Sequence, residues 1–420
     1  MKTYFDNLVN SSNLNHLSKN GKQDFWIVGS GSIVKSQLMQ MGMEISTVDN
    51  YTTPGCYFLD VNGDPVWWSG AHGFKHGPKK HILSEVTDEI VEMVQQRKLR
   101  IVIAADKEGG GMVSSTFNAF ESTTAVMLAR GFPPNSVLII QGNKKIEQQY
   151  NRWLAFSNSP KMFDVMYSNH FGRIFFGWMQ KAMPTVPLIA EAINNTTAFD
   201  YNSLNRVYRP HRSAHLYTLI ENNILDKGLV SANDKRYSGL DDEAADLAKP
   251  DWRTYNYDVY GDTMVKHFPK FVDGNWEIEN AANSYNTEIY KNSLMSFITE
   301  TKYNEDVVFL TEKVFKPIAL GHPMILLASA GTLRGLRELG FKTDWCGINP
   351  NYNNIVDDKS RFDATTQVLV DWVNLPKEEK IRRIIESLPT IHHNFNLIRQ
   401  RDFYKEALAE VFKRTRIYFS

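Results

Sequence analysis

Three arginines have the spacing to bind an anion. Arg206, Arg209 and Arg212 lie in the run NRVYRPHR, where a polar segment meets a predicted helix. Free backbone N–H groups and the helix dipole favour an anion at such a junction, and a guanidinium matches two phosphate oxygens at once. The pattern therefore favours a diphosphate ligand. A solvent-exposed basic cap without a ligand is the alternative.

Glu312 and Lys313 form a second candidate pair. They open a predicted helix capped by Thr311, directly after the apolar run 307–310. A carboxylate at this position can accept hydrogen bonds from two ribose hydroxyls, and a lysine ammonium can bind a phosphate. Taken alone, the segment is equally consistent with a well-capped helix start that binds nothing.

A third candidate is the stretch DPVWWSGAHGFKHGPKKH, residues 64–81. It interleaves aromatic and basic side chains, among them Trp67, Trp68, Lys75, Lys79, Lys80 and His81. Aromatic faces beside basic groups suit a polyanion whose bases can stack, such as nucleic acid. The alternative is a hairpin with its tryptophans in the core and its lysines in solvent.

A fourth motif, Gly29-Ser30-Gly31-Ser32, follows the predicted strand 25–28 and suggests a dinucleotide site. The fingerprint requires a third glycine where this chain has Val34. A tight turn between strand and helix is therefore the better interpretation.

Composition limits the class of protein. The 420 residues include 47 Lys plus Arg and 47 Asp plus Glu, so a globally basic nucleic-acid binder is excluded and any charge argument must be local. Cys56 and Cys346 are the only cysteines, which excludes a disulfide framework and a cysteine zinc site. No apolar run approaches the roughly 20 residues of a membrane span, and the amino terminus lacks a signal-peptide core. A cytoplasmic protein without a membrane partner is expected.

Short apolar runs alternate with amphipathic stretches, which is typical of parallel strands joined by helices. Strands are predicted at 25–28, 101–105, 136–140, 164–167, 228–232, 295–299 and 323–328, and helices at 116–130, 216–223, 312–320, 332–339 and 363–373. The predicted fold class is α/β, with two Rossmann-like doubly wound domains that face a cleft lined by strand carboxyl ends.

The predicted domain boundaries follow from the same alternation. The first domain is assigned to 1–190, a polar turn-rich linker to 191–205 and the second domain to 206–400. Residues 401–420 form a C-terminal helix that can pack back on the first domain. Residues 233–284 are predicted to be an irregular insertion without an assigned function.

The sequence also resembles a known family. The runs NRVYRPHR, FITETKYNEDVVFLTEKVFKPIALGHPMILL and GTLRGLRELGFKT together resemble glycosyltransferases of the two-domain GT-B type. They are most similar to the fucosyltransferase-like and exostosin-like sets common in bacteriophages and bacteria. The loop 106–111 and the run GFPPNSVLIIQGN look like the first domain of that set, and the resemblance covers roughly residues 95–400.

The resemblance implies roles for individual residues. Those implied to bind the donor are Arg206, Arg209 and Arg212 at the diphosphate, Glu312 and Lys313 at the ribose and phosphate, and Glu300 in the same run. Glu108 is implied to be the general base, with Asp106 as the second candidate. The expected donor is a UDP- or GDP-sugar. No metal is expected, because no Asp-x-Asp pair followed by suitable histidines is present.

The expected reaction is a single displacement with inversion. Its leading acceptor is a hydroxymethylated base, such as 5-hydroxymethylcytosine, in the double-stranded DNA of a phage, modified in the host cytoplasm. The acceptor side chains are then Trp67, Trp68, Lys75, Lys79 and Lys80. A saccharide acceptor and a catalytically silent sugar-nucleotide-binding module are the alternatives.

Overall fold

The computed structural model describes residues 2–5, 26–27, 45–47, 55–62, 81–105, 112–113, 118–174, 183–232, 266–268, 270, 272, 286–304 and 306–420. The chain divides into two compact units: unit 1 is Met1–His170 with Tyr404–Ser420, and unit 2 is Phe171–Phe403. Each unit is built on a mainly parallel sheet with helices between its strands. The predicted α/β class with two Rossmann-like units is therefore confirmed.

The strands of unit 1 form a sheet of order β3-β1-β4-β5-β6-β7. They are β1 Lys2–Phe5, β2 Trp26–Ile27, β3 Ile45–Thr47, β4 Gly55–Asn62, β5 Leu99–Ala105, β6 Val137–Gln141 and β7 Phe163–Tyr167. The strand β2 pairs antiparallel to β4, whereas the other described pairs are parallel. Every residue of β5 and β6 is buried, because parallel strands covered on both faces need near-continuous apolar sequences.

Four helices of unit 1 pack on one face of this sheet. They are α1 Ile82–Glu85, α2 Asp88–Gln95, α3 Ala119–Ala129 and α4 Ile146–Ser157, and α5 His170–Ile174 contains the boundary between the units. Phe120 of α3 and Tyr150 of α4 pack around Phe163 of β7, and the stacked rings of Tyr150 and Phe163 are 4.6 Å apart. These aromatic contacts fix the helices on the sheet.

Unit 2 has a parallel sheet of order β11-β10-β8-β9. Its strands are β8 Tyr201–Asn205, β9 Gly228–Ala232, β10 Ser296–Thr299 and β11 Met324–Leu327. Its helices are α6 Ile189–Asn194, α7 Pro210–Glu221, α8 Thr287–Lys291, α9 Glu312–Leu320, α10 Thr332–Glu338, α11 Asp358–Asn374 and α12 Lys377–Gln400. Short 3₁₀ helices lie at Leu225–Lys227 and Pro350–Asn354.

The final helix, α13 Phe403–Phe419, lies in unit 1 apart from its first residue. Leu408 and Val411 pack with Val102 and Leu138 of the sheet. The Cys56 thiol donates to the Thr415 hydroxyl at 3.3 Å. The last helix of the chain thus shares a core cluster with strands β4 to β7.

The boundary region differs from the sequence prediction. The chain passes from one unit to the other at residue 170, and the predicted linker 191–205 contains the end of α6 and all of β8. Polar residues of β8 were the reason for predicting a linker, but they are buried and paired. The Asn202 amide donates to the Ser293 hydroxyl at 2.8 Å, and the Thr299 hydroxyl donates to Asn205 at 2.7 Å.

Three buried histidines make the fold sensitive to acid. Burial lowers the pKa of His81 and of His322 to about 4 and that of His215 to about 3. In the unfolded chain a histidine titrates near pH 6.5. Between about pH 6.5 and pH 4 the unfolded state therefore binds more protons than the folded state, so stability falls as the pH falls.

We expect the free energy of unfolding to drop by about 1.4 kcal/mol per pH unit for each such histidine below about pH 6. Urea titrations from pH 7.5 to pH 5 measure this slope. A His322→Gln variant should be less stable at pH 7.5 and should show a shallower slope. An unfolding free energy that is constant between pH 7 and pH 5 contradicts the prediction.

Candidate functional site

The carboxyl ends of β8, β10 and β11 meet at one edge of the sheet in unit 2, because these strands are parallel. The loop after β8 contains Arg206 and Arg209 and leads into α7. The loop after β10 begins at Glu300 and leads to α9, which starts at Glu312. Ligands of open α/β sheets bind at such an edge. The sequence motifs 206–212 and 311–313 are thus brought to one part of the fold.

Glu300 ties the start of α9 to the end of β10. Its carboxylate accepts from the Thr311 backbone N–H at 3.0 Å, from the Thr311 hydroxyl at 2.7 Å and from the Thr301 N–H at 3.0 Å. The residue is 0% exposed, and burial raises the pKa of its carboxyl group despite the nearby Lys313 ammonium. The geometry favours a positioning role for Glu300 over the direct donor contact that the sequence predicts.

Glu312 and Lys313 form an ion pair at the amino terminus of α9. The Lys313 ammonium lies 2.6 Å from the Glu312 carboxylate and donates to the Thr301 hydroxyl at 3.2 Å. Burial alone would raise the pKa of Glu312, but the ammonium groups of Lys313 and Lys316 outweigh it, and the pKa lies below its usual range. The Lys313 side chain is 28% exposed and that of Glu312 15%. An ionised acceptor and a cation are therefore available side by side.

The three arginines of the basic group have different environments. Arg206 and Arg209 are exposed, and Arg209 stands at the N-cap position of α7. Arg212 is 3% exposed, and its guanidinium donates to the Val207 carbonyl at 2.7 Å and to the Thr299 carbonyl at 3.2 Å. Arg212 therefore braces the loop after β8 against the end of β10, whereas Arg206 and Arg209 are exposed to solvent.

Sequence reasoning did not single out two residues at this edge. Tyr303 is 1% exposed and stacks on His211 of α7, whereas Arg361 is 1% exposed and donates to the Ala328 carbonyl at 2.9 Å. Arg361 belongs to α11 and lies outside every candidate motif, so no local pattern marks it. Its contacts exist only in the folded chain.

Several predicted site residues lie outside the described part of the chain. These are Asp106 and Glu108, the acceptor residues Trp67, Trp68, Lys75, Lys79 and Lys80, and the turn at Gly29–Ser32. His81 is described and corrects one prediction. It is 4% exposed, its Nδ1 accepts from the Leu83 N–H at 3.1 Å to cap α1, and burial lowers its pKa to about 4. A neutral, buried imidazole is not a basic group for a polyanion.

The described residues contain neither a metal site nor a membrane-spanning helix. No group of three or more His, Cys, Asp or Glu side chains among them is placed to hold a metal ion. Of the helices that the structure describes, none combines the length and apolar character needed to cross a bilayer.

No protein-family model matches the sequence, and no curated protein matches it. Among solved structures, the chain is similar to one described as trehalose-6-phosphate from E. coli bound with UDP-2-fluoro glucose, at 10% identity and a TM-score of 0.42 over 99% of each chain. It is also similar to a trehalose-6-phosphate synthase, at 14% identity and a TM-score of 0.36 over 79% of this chain and 74% of that one.

A third similar structure is the catalytic domain of starch synthase IV from Arabidopsis thaliana bound to ADP and acarbose. It has 10% identity and a TM-score of 0.35 over 91% of this chain and 75% of that chain. Similarity at this level carries no argument about function.

Proposed function

We propose that this protein is a glycosyltransferase that moves a sugar from a nucleoside-diphosphate sugar to an acceptor hydroxyl. The observation that carries the proposal is the Glu312–Lys313 pair at the start of α9, at the same sheet edge as the exposed Arg206 and Arg209. The two loops are joined by hydrogen bonds from Arg212 to the Thr299 carbonyl and from His211 to the Glu300 carbonyl. One edge thus offers donors for a diphosphate and an acceptor for ribose hydroxyls.

The diphosphate part of the proposal depends on positive charge. When the bond between the anomeric carbon and the diphosphate oxygen breaks, the electron pair stays on the leaving group. Arg206, Arg209 and Lys313, with the dipole of α9, stabilise that developing charge. Such a cluster stabilises the negative charge of the leaving group without a metal ion. Metal independence is therefore part of the proposal.

The ribose part depends on Glu312. Its pKa is lowered by the neighbouring ammonium groups, so it is ionised at neutral pH and can only accept hydrogen bonds. The two hydroxyls of a ribose are matching donors. UDP-sugars and GDP-sugars both carry this ribose, and both are included in the proposal.

Replacing Glu312 by Gln should reduce discrimination between ribose and 2′,3′-dideoxyribose. The ratio of the two dissociation constants removes any general effect of the lost charge on phosphate binding. We expect this ratio to fall about fivefold in the variant, because a charge-assisted acceptor is replaced by a neutral one. Calorimetric titration with both nucleoside diphosphates measures it.

Glu386→Gln is the matched control, because Glu386 is an exposed carboxylate paired with Arg382 on α12 of the same unit. It should leave the ratio unchanged. An unchanged ratio in Glu312→Gln would mean that Glu312 serves only as a helix-start residue.

The base and the acceptor are the parts of the proposal that depend on sequence alone. Glu108, or Asp106 as the second candidate, takes the proton of the acceptor hydroxyl as that oxygen attacks the anomeric carbon with inversion. The leading acceptor is a hydroxymethylated base in DNA, supported by the aromatic and basic residues Trp67, Trp68, Lys75, Lys79 and Lys80. A saccharide acceptor is the alternative.

A transfer assay tests this function. Labelled UDP- and GDP-sugars are incubated with duplex DNA that carries 5-hydroxymethylcytosine, with unmodified DNA, or with an oligosaccharide. The proposal requires label on one hydroxylated acceptor, and label on the saccharide alone rules out the DNA acceptor. If nucleotide binds but every combination gives neither transfer nor donor hydrolysis, the protein is a binding module.

A further inference from the structure

Arg361 joins two loops at the carboxyl edge of the sheet in unit 2. Its guanidinium donates to the Ala328 carbonyl after β11 at 2.9 Å and to the Tyr303 carbonyl after β10 at 2.7 Å. It also donates to the Ile355 and Val356 carbonyls at 2.8 and 3.0 Å and pairs with Asp358 at 2.6 Å. All three nitrogens of the fork are therefore used inside the protein.

Tyr303 connects Arg361 to the loop after β8 as well. The Arg361 guanidinium carbon lies 4.5 Å from the centroid of the Tyr303 ring, and the His211 ring stacks on the same residue at 5.2 Å with an interplanar angle of 21°. His211 belongs to the first turn of α7 and donates from Nε2 to the Glu300 carbonyl at 2.8 Å. The Tyr303 hydroxyl donates to the Asp358 carbonyl. The loops after β8, β10 and β11 are thus held by one set of contacts.

We propose that Tyr303 and Arg361 are positioning residues that preorganise this edge for a nucleoside diphosphate. The ligand part rests on the proposed function. Both residues are 1% exposed, so they act through their neighbours. Tyr303 stacks on His211, which follows the loop carrying Arg206 and Arg209 and donates to the Glu300 carbonyl, and the Glu300 carboxylate in turn accepts from Thr311 at the start of α9. Loops are otherwise mobile, and ordering them at the moment of binding reduces affinity. A site ordered in advance avoids that loss.

The test compares two substitutions of Tyr303 with one of Arg361. Tyr303→Leu removes the ring, whereas Tyr303→Phe keeps the stack and removes only the hydroxyl. Arg361→Lys keeps the charge and removes the planar fork. Arg100→Lys is the matched control, because Arg100 is a 0% exposed arginine of unit 1 that pairs with Asp164 and donates to the Asn135 carbonyl at 3.1 Å.

Two measurements are made on the full chain. Hydrogen exchange of the ligand-free protein should be faster at residues 206–212 as well as at 301–304 in Tyr303→Leu and Arg361→Lys. Calorimetry should show the dissociation constant of UDP or GDP raised about fivefold in both variants. Tyr303→Phe should retain wild-type affinity, and Arg100→Lys should lower thermal stability without changing affinity.

Faster exchange confined to 301–304 would overturn the coupling of the loops, and unchanged affinity in the folded Tyr303→Leu and Arg361→Lys variants would overturn the positioning role. If Arg361→Lys does not fold, the comparison of Tyr303→Leu with Tyr303→Phe decides whether the loops are coupled and whether the positioning role holds. If the wild-type protein binds neither nucleotide, the proposed function fails and the positioning role for a nucleotide fails with it, whereas the exchange data still decide whether the loops are coupled.

Discussion

Replacing Glu108 by Gln is expected to lower the turnover of sugar transfer by about 10²- to 10⁴-fold while leaving donor affinity nearly unchanged. A carboxylate that removes the acceptor proton in the transition state contributes on this scale. Glutamine has nearly the same shape but cannot accept a proton. Single-turnover transfer with saturating donor and acceptor, combined with calorimetry of the nucleotide, separates the chemical step from binding.

Asp106→Asn is the companion variant. The proposal requires that Glu108→Gln loses turnover and that Asp106→Asn keeps most of it. The reverse result assigns the proton acceptor to Asp106. Normal turnover in both variants would show that neither carboxylate in this loop is the base.

Replacing Lys313 or Arg209 by Ala is expected to raise the dissociation constant of the nucleoside diphosphate at least about tenfold. Each change removes a charge-assisted contact worth about 1.5–3 kcal/mol. In Lys313→Ala the Glu312 carboxylate also loses the ammonium group 2.6 Å away, so its negative charge faces the phosphates without compensation. Calorimetric titration of the folded variants gives the constants directly.

Lys359→Ala is the control for these variants. Lys359 is an exposed lysine that pairs with Asp363 at 2.6 Å on α11 of the same unit, and it should be replaceable without loss of affinity. If Lys313→Ala and Arg209→Ala bind nucleotide as tightly as this control does, the diphosphate is not held at this edge.

Seven of the eleven described strands could be predicted from the sequence, whereas β1, β3, β4 and β8 were not predicted. Runs such as IVIAA at 101–105 and SVLII at 136–140 are almost entirely apolar, because parallel strands are buried on both faces, and they overlap β5 and β6. The helix predicted at 312–320 is α9, with Thr311 as its cap. In these places local composition and tertiary environment favour the same structure.

Other elements were missed where their stability depends on distant partners. The strand β8 has the sequence YNSLN, and its polar side chains led to the prediction of a linker. Asn202 pairs with Ser293 and Asn205 with Thr299, both about a quarter of the chain away. The helix α12 contains Pro389 in its interior, which disfavours a helix prediction at that point.

The candidate site, too, could be predicted from local sequence patterns only in part. The sequence could indicate that the residues of 206–212 and 311–313 lie at helix starts, because capping and strand order are local patterns. It could not separate the buried Arg212 from the exposed Arg206 and Arg209, or show that the Glu300 carboxylate is enclosed by Thr301 and Thr311. Those distinctions depend on which backbone groups the fold brings next to each side chain.

Calorimetric titration of UDP and GDP into the full chain tests the central claim most directly. The proposal predicts saturable binding of one of them at one site per chain, weakened at least about tenfold by Lys313→Ala. It also predicts a gain in unfolding free energy of about 2.7 kcal/mol at a ligand concentration 100 times the dissociation constant. Failure of the folded protein to bind either nucleotide at millimolar concentration would contradict a donor site at the carboxyl edge of the sheet in unit 2.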